Sequence, residues 1–178
     1  MRIDAIDPKT ASSDVKPLLD GVQKGLGVIP NLFKVAAQSP VALESLVALF
    51  GATGKGTLDA KTREAIALAV SEGNACDYCL SAHSFLGKRA GLADAAIAQA
   101  RDAQSDDARL QAILGLTRAI VDHRGRAGSA LDEARRAGLN DSEIVEVVAN
   151  VALTVFTNYL NELAETEIDF PVVHHKAR

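Results

Sequence analysis

Apolar residues recur at spacings of three and four along most of the 178-residue chain, the period of helices that bury one face. After an irregular lead-in over residues 1–13, Asp14 is positioned to cap a first helix to about Lys24, with Pro17 in its first turn and Gly25 and Gly27 at its end. Pro30 and Asn31 open a short apolar segment, and Ser39-Pro40 restarts a helix that runs to about Ala52. Asp59 caps the next helix, which carries Ala65, Leu68 and Ala69 on its buried face and stops at Gly73. Asn74 is the expected cap of a helix over 75–90, with Cys76, Cys79, His83, Leu86 and Ala90 in one stripe and Lys88-Arg89-Ala90-Gly91 as a basic, glycine-ended terminus. Further helices follow from Asp94 to Gln99, from Asp106 or Asp107 to near Gly125, from Ser129 to Ala137, and from about 142 to 165. No stretch alternates with hairpin turns as a strand would, so the pattern predicts a single all-α domain over 1–178. Its core helix pair lies at about 59–91 and its long C-terminal helix at about 141–166.

Composition supports helices. With 48% apolar residues, no Trp, two Tyr and five Phe, the core must be aliphatic and closely packed. A net charge of −4 gives no electrostatic attraction for nucleic acid or an anionic membrane surface. The most apolar run, 145–156, is interrupted by Glu146 and Asn150, and the first residues lack the basic-then-apolar order of a secretion signal, so a cytoplasmic location is expected. Residues 88–97 and 135–144 share A-G-L-x-D-x-x-I; a duplicated helical unit and two similar helix-stop, helix-start junctions account for this equally well. The glycines at 51–57 lack the preceding strand and the Gly-Lys-Ser/Thr ending of a phosphate-binding loop.

The chemistry is concentrated between residues 64 and 91. Cys76 and Cys79 are the two cysteines of the chain and form Cys-x-x-Cys, with His83 four residues on. On a helix the three share one face, where the thiols are near enough to pair and the imidazole can take a proton from a thiol. Cys76, nearest the helix N-terminus, is expected to be the more exposed. In a reducing compartment such a pair reads as catalytic, redox-sensing or metal-binding. Ordinary buried cysteines and a zinc site are the alternatives; zinc would need a fourth ligand, which His174 or His175 supplies only if the C-terminal tail folds back. Antiparallel packing about Gly73 would bring Glu64 alongside His83 to orient the imidazole; a surface carboxylate beside Lys61 and Arg63 is the competing reading. Tyr78 could donate a hydrogen bond to a bound peroxide or simply fill space. Asn150, Asn158, Tyr159, Asn161 and Glu162 put polar groups on the long helix.

The spacing E-x(11)-C-x-x-C-x-x-x-H resembles the motif of the alkylhydroperoxidase D-like branch of the carboxymuconolactone decarboxylase superfamily. The segments IPNLFKVAAQSP at 29–40 and VALTVFTNYLNELAETEIDFP at 151–171 are similar to its peroxidase-related members. The resemblance implies the alkylhydroperoxidase D-like helical fold with a Cys-x-x-Cys active-site helix, assembled as a dimer, trimer or hexamer. It implies reduction of an organic hydroperoxide in antioxidant defence, with no bound cofactor and no metal. Cys79 would match the peroxidatic cysteine and Cys76 the resolving one, with a dithiol or a lipoyl-type adaptor reopening the disulfide from the Cys76 side. His83 and Glu64 would match the proton relay. Where the well-studied branch has a histidine before its second cysteine, this chain has Tyr78. Two further readings stand beside it: a redox-responsive interaction protein that does not turn over, and a decarboxylase, the activity of members that lack the cysteines.

Overall fold

A computed structural model describes residues 1–176 of the chain. These form nine helices and no strand among the described residues: α1 (Lys16–Leu26), α2 (Asn31–Ala36), α3 (Pro40–Thr53), α4 (Ala60–Gly73), α5 (Asp77–Ala90), α6 (Asp94–Arg101), α7 (Ala108–His123), α8 (Ser129–Arg136) and α9 (Asp141–Ala164). Several starts follow the expected chemistry. Ser39 and Asp59 accept hydrogen bonds from Ala42 and Thr62 N–H, and Asp107, rather than Asp106, accepts from Leu110 N–H. Asn140 and Glu143 cap α9 reciprocally, one residue before the Asp141 start expected from the sequence. The first helix begins at Lys16, two residues beyond Asp14, and no side chain caps it.

Helix α4 is the centre of the molecule, packed against α5, α6, α7 and α9. Ala65 to Glu72 are buried without a break, so this helix is covered all round rather than on the single face its sequence pattern suggests. Three alanines, Ala65, Ala67 and Ala69, make that possible by letting neighbours approach closely. Ile66 and Val70 pack with Val147 and Val151 of α9 and with Ile113 and Leu116 of α7, while Leu68 meets Leu80 of α5 and Leu114. On the other side of α5, α1 to α3 contribute Leu19, Val22, Leu32, Phe33, Leu43 and Leu46 to a cluster that includes both cysteines.

Both A-G-L-x-D-x-x-I segments are helix junctions, with Gly91 and Gly138 at φ +95° and +89°. They lead into helices of 8 and 24 residues, which fits the junction reading better than a duplicated unit. The glycine loop at 51–57 is held by α9. Glu146 Oε2 accepts from Thr57 N–H at 2.7 Å and Leu58 N–H at 3.1 Å, so a carboxylate of the protein itself occupies the backbone donors. By length and composition α9 could cross a membrane; here one of its faces, with Val147, Asn150, Val151, Leu153 and Thr154, is buried in the core.

After α9 the chain returns as an extended strap over α5. Asp169 accepts from Asn31 N–H, Val173 N–H donates to Ser81, and His174 and His175 both face Asp77. Arg101, paired with Glu72 at 2.6 Å, also donates to His174 O.

Candidate active site

The turn between α4 and α5 places the cysteines differently from the sequence expectation. Ala75 adopts φ +55°, a left-handed conformation costly for a residue with a Cβ, and the chain enters α5 with Cys76, not Asn74, as the N-cap. Cys76 Sγ accepts from Cys79 N–H at 3.4 Å. A capping side chain turns back over the helix end, so Cys76 is buried at 0% exposure, less open than Cys79 at 3%. The expected exposure of Cys76 is therefore corrected, and with it the approach of a reductant from the Cys76 side. Asn74 is used elsewhere: its Nδ2 donates to Asn158 Oδ1, and Asn158 donates to Ser71.

Antiparallel packing of α4 and α5 brings Glu64 to His83, with Oε2 2.8 Å from Nδ1. That contact places the ring proton of the neutral imidazole on Nδ1 and leaves Nε2 as the proton acceptor. Burial disfavours the imidazolium of His83, but the charge and hydrogen bond of Glu64 outweigh it and raise its pKa.

Cys79 responds to several groups at once. Burial opposes its ionisation, yet the Cys76 side chain, the positive His83 and the Asn161 and Asn158 amides bring its pKa down to about 7. Asn161 Nδ2 donates to Cys79 Sγ at 3.3 Å. The hydrogen bond to Cys79, followed by burial, pushes Cys76 strongly upward, so the first ionisation of the pair falls on Cys79 while Cys76 stays a thiol. The lower pKa belongs to the second cysteine, although Cys76 stands nearer the helix terminus.

A cavity of about 400 Å³ opens beside this pair, within the size range of small-molecule sites. Cys79, His83 and Tyr78 line it with Leu32, Phe33 and Phe50, whereas Cys76 does not. The cavity thus reaches one cysteine and not the other. Tyr78 contributes its ring. Its hydroxyl donates to Asp169 Oδ1 at 2.8 Å and accepts from Leu32 N–H at 3.1 Å, so the strap and α2 hold it, and Phe170 stacks edge-on against the ring. The space-filling reading of Tyr78 fits this placement better than hydrogen-bond donation to a peroxide.

The tail does fold back, but His174 and His175 turn to Asp77 at 2.7 Å each, and no group of three metal-ligating side chains occurs among the described residues. Asp169 and Phe170 were not singled out as site residues from the sequence. The only local signal was Ile168 and Phe170 on either side of Asp169, an alternation too short to say what the segment covers.

Residues 40–122, from the start of α3 into the last turn of α7, match the carboxymuconolactone decarboxylase family. An uncharacterized protein of Haemophilus influenzae is 40% identical over 73 residues, 40% of this chain, and the match spans 59% of that relative's length. Among solved structures, an uncharacterized peroxidase-related protein from Ralstonia eutropha with an alkylhydroperoxidase AhpD core superposes with a TM-score of 0.83 at 21% identity, covering 94% of this chain and 92% of its own. The debrominase Bmp8 in complex with 2,3,4-tribromopyrrole gives 0.80 at 20% identity, with coverage of 95% and 92%. An uncharacterized peroxidase-related protein from Silicibacter gives 0.78 at 22%, with coverage of 94% and 90%. At these identities the structural likeness speaks to the fold. The central helices are thus similar to the carboxymuconolactone decarboxylase family, and the fold over nearly all of the chain is that of the alkylhydroperoxidase AhpD core.

Proposed function

We propose that the protein reduces organic hydroperoxides through a two-cysteine cycle. The observation that carries this reading is that Cys79 alone of the two cysteines lines the cavity, and it is the one whose thiolate is favoured near neutral pH. The Cys79 thiolate attacks the terminal oxygen of ROOH, the O–O bond breaks, and the leaving alkoxide takes the proton of the His83 imidazolium to give ROH and a Cys79 sulfenic acid. Glu64 stabilises that imidazolium before transfer. Asn161 Oδ1, buried without a hydrogen-bond partner among the described residues, offers an acceptor for the sulfenic hydroxyl. The Cys76 thiol then attacks the Cys79 sulfur, its proton passing to His83, and the sulfenic oxygen leaves as water to give the Cys76–Cys79 disulfide. A dithiol, free or carried as a lipoyl group, restores both thiols by exchange and is itself oxidised to its disulfide. Because Cys76 is buried, the exchange starts on the Cys79 sulfur through the cavity. The working unit is a homo-oligomer.

The apolar cavity also suits a halogenated ring, and the debrominase neighbour makes reductive debromination a second reading to measure. Steady-state consumption of cumene hydroperoxide with a dithiol separates the possibilities when run beside release of bromide from 2,3,4-tribromopyrrole. Wild type is expected to consume the hydroperoxide and Cys79→Ser to lose at least about a hundredfold in rate, as expected when a nucleophile is removed. Cys76→Ser should slow to the rate at which the dithiol reduces the Cys79 sulfenic acid directly. Equal rates in all three proteins would remove the enzyme reading in favour of a redox-responsive interaction protein, and bromide release without peroxide consumption would favour the second reading.

A further inference from the structure

Helices α1 and α5 both line the cavity, and two of the α1 residues on it have no side chain. Gly21 and Gly25, one helical turn apart, both line it. Glycine is disfavoured inside helices, and no crowding demands it here, since a Cβ built at either position meets nothing within 4 Å and neither residue has a positive φ. What the two glycines provide is room. Around them Leu26, Val28 and Phe85 are exposed apolar side chains on the lip of the same cavity, an arrangement costly in water unless something apolar lies against it.

The rim holds one strong charge. Arg89 lines the cavity, stands 5.9 Å over the Phe85 ring, and makes no ion pair among the described residues. It follows Cys79 by ten residues on α5, so about 15 Å of helix axis separates the two positions. Between the thiolate and the guanidinium the wall is overwhelmingly apolar.

We infer that the cavity takes an amphipathic hydroperoxide, with its peroxide at Cys79, an apolar chain along the Gly21 and Gly25 edge, and a carboxylate at Arg89. The peroxide end of this inference rests on the peroxidase reading; the seating of the chain and the carboxylate does not. A planar guanidinium is well matched to a carboxylate, and the Phe85 ring beneath it favours the cation at this place. The class this describes is the long-chain fatty-acid hydroperoxide.

Two measurements on the full chain test it. The first is calorimetric titration with linoleate and with methyl linoleate, neither of which carries a peroxide. Linoleate should bind saturably to wild type, and Arg89→Gln should weaken it by about tenfold or more while barely changing the methyl ester. Gly25→Leu should weaken both ligands, and Gly25→Ala, a helix-favouring change that narrows the same edge, should do so to a smaller degree if the leucine variant does not fold. The second is the ratio of kcat/KM for the hydroperoxide of linoleic acid to that for tert-butyl hydroperoxide, which should be well above one in wild type and fall in Arg89→Gln. Linoleate binding that is absent, or unchanged in both the Arg89 and Gly25 variants, would overturn the inference. So would linoleate binding that appears only when the protein is diluted, because a second copy would then be the occupant of this lip. Arg89-dependent binding with no hydroperoxide consumed would support the site while removing the peroxidase reading. Consumption with no preference for chain or carboxylate would overturn the inference and leave the peroxidase reading standing.

Discussion

At the scale of single residues, the site depends on an imbalance between two thiols that a bare Cys-x-x-Cys would not specify. Cys79 is held near pH 7 by Cys76, His83 and two amides, while Cys76 is pushed in the opposite direction. Because a lowered pKa means that thiolate predominates above that value, alkylation of Cys79 should rise through about pH 7 and level off at higher pH. His83→Gln removes the positive neighbour, so the same profile should move alkaline by about one pH unit or more. A pH titration of iodoacetamide reactivity, with Cys79 followed by peptide mass spectrometry in wild type and in His83→Gln, reads this directly; an unmoved profile would remove His83 as the stabilising charge. Glu64, Cys76, Cys79 and His83 could all be found in the sequence because their spacing reflects two helices folded about one turn. The amide of Asn161 could be noticed there but not aimed. Nothing local says that a residue 82 positions later donates to the Cys79 sulfur.

At the scale of elements, the helices were legible because their periodicity and caps are local properties, whereas the ends failed where the backbone does something unfavourable. A helix starting at Asn74 or Ala75 is what capping preference alone predicts. The structure instead places Ala75 in a left-handed turn and gives the capping position to Cys76, a choice maintained by burial of the cysteine against the α1 to α3 cluster. The all-round burial of α4 was hidden for a related reason: alanine scores as weakly apolar, and only neighbours on every side reveal it as core. The loop before α4 depends on one carboxylate. Glu146→Ala would leave Thr57 and Leu58 N–H without their acceptor, a loss of roughly 1–3 kcal/mol. For a chain of this size that is a fall in Tm of about 2–10 °C, and Glu146→Gln, which keeps one acceptor oxygen, should lose less. Thermal unfolding followed by circular dichroism checks both variants, and a Glu146→Ala melting curve superimposable on wild type would show that water replaces the carboxylate at no cost.

At the scale of the whole molecule, two features lay beyond sequence patterns: the strap that closes over α5, and the outer face of α9. The strap makes its contacts across about ninety residues of sequence, from Asp169 to Tyr78 and from Val173 to Ser81. No window of the chain contains both partners. On α9, Val145, Val148, Tyr159 and Leu163 are exposed at spacings that keep them along one side of the helix, a stripe suited to a second copy of the chain. Light scattering after size exclusion should give an oligomer for wild type and a smaller species for Val148→Asp combined with Leu163→Asp; a monomeric wild type would contradict the assembly. The account as a whole turns on which sulfur meets the peroxide. In Cys76→Ser protein treated with one equivalent of cumene hydroperoxide and then dimedone, peptide mass spectrometry should find the sulfenic acid adduct on Cys79 at close to one per chain. An unmodified Cys79 thiol after the hydroperoxide has been presented would contradict it.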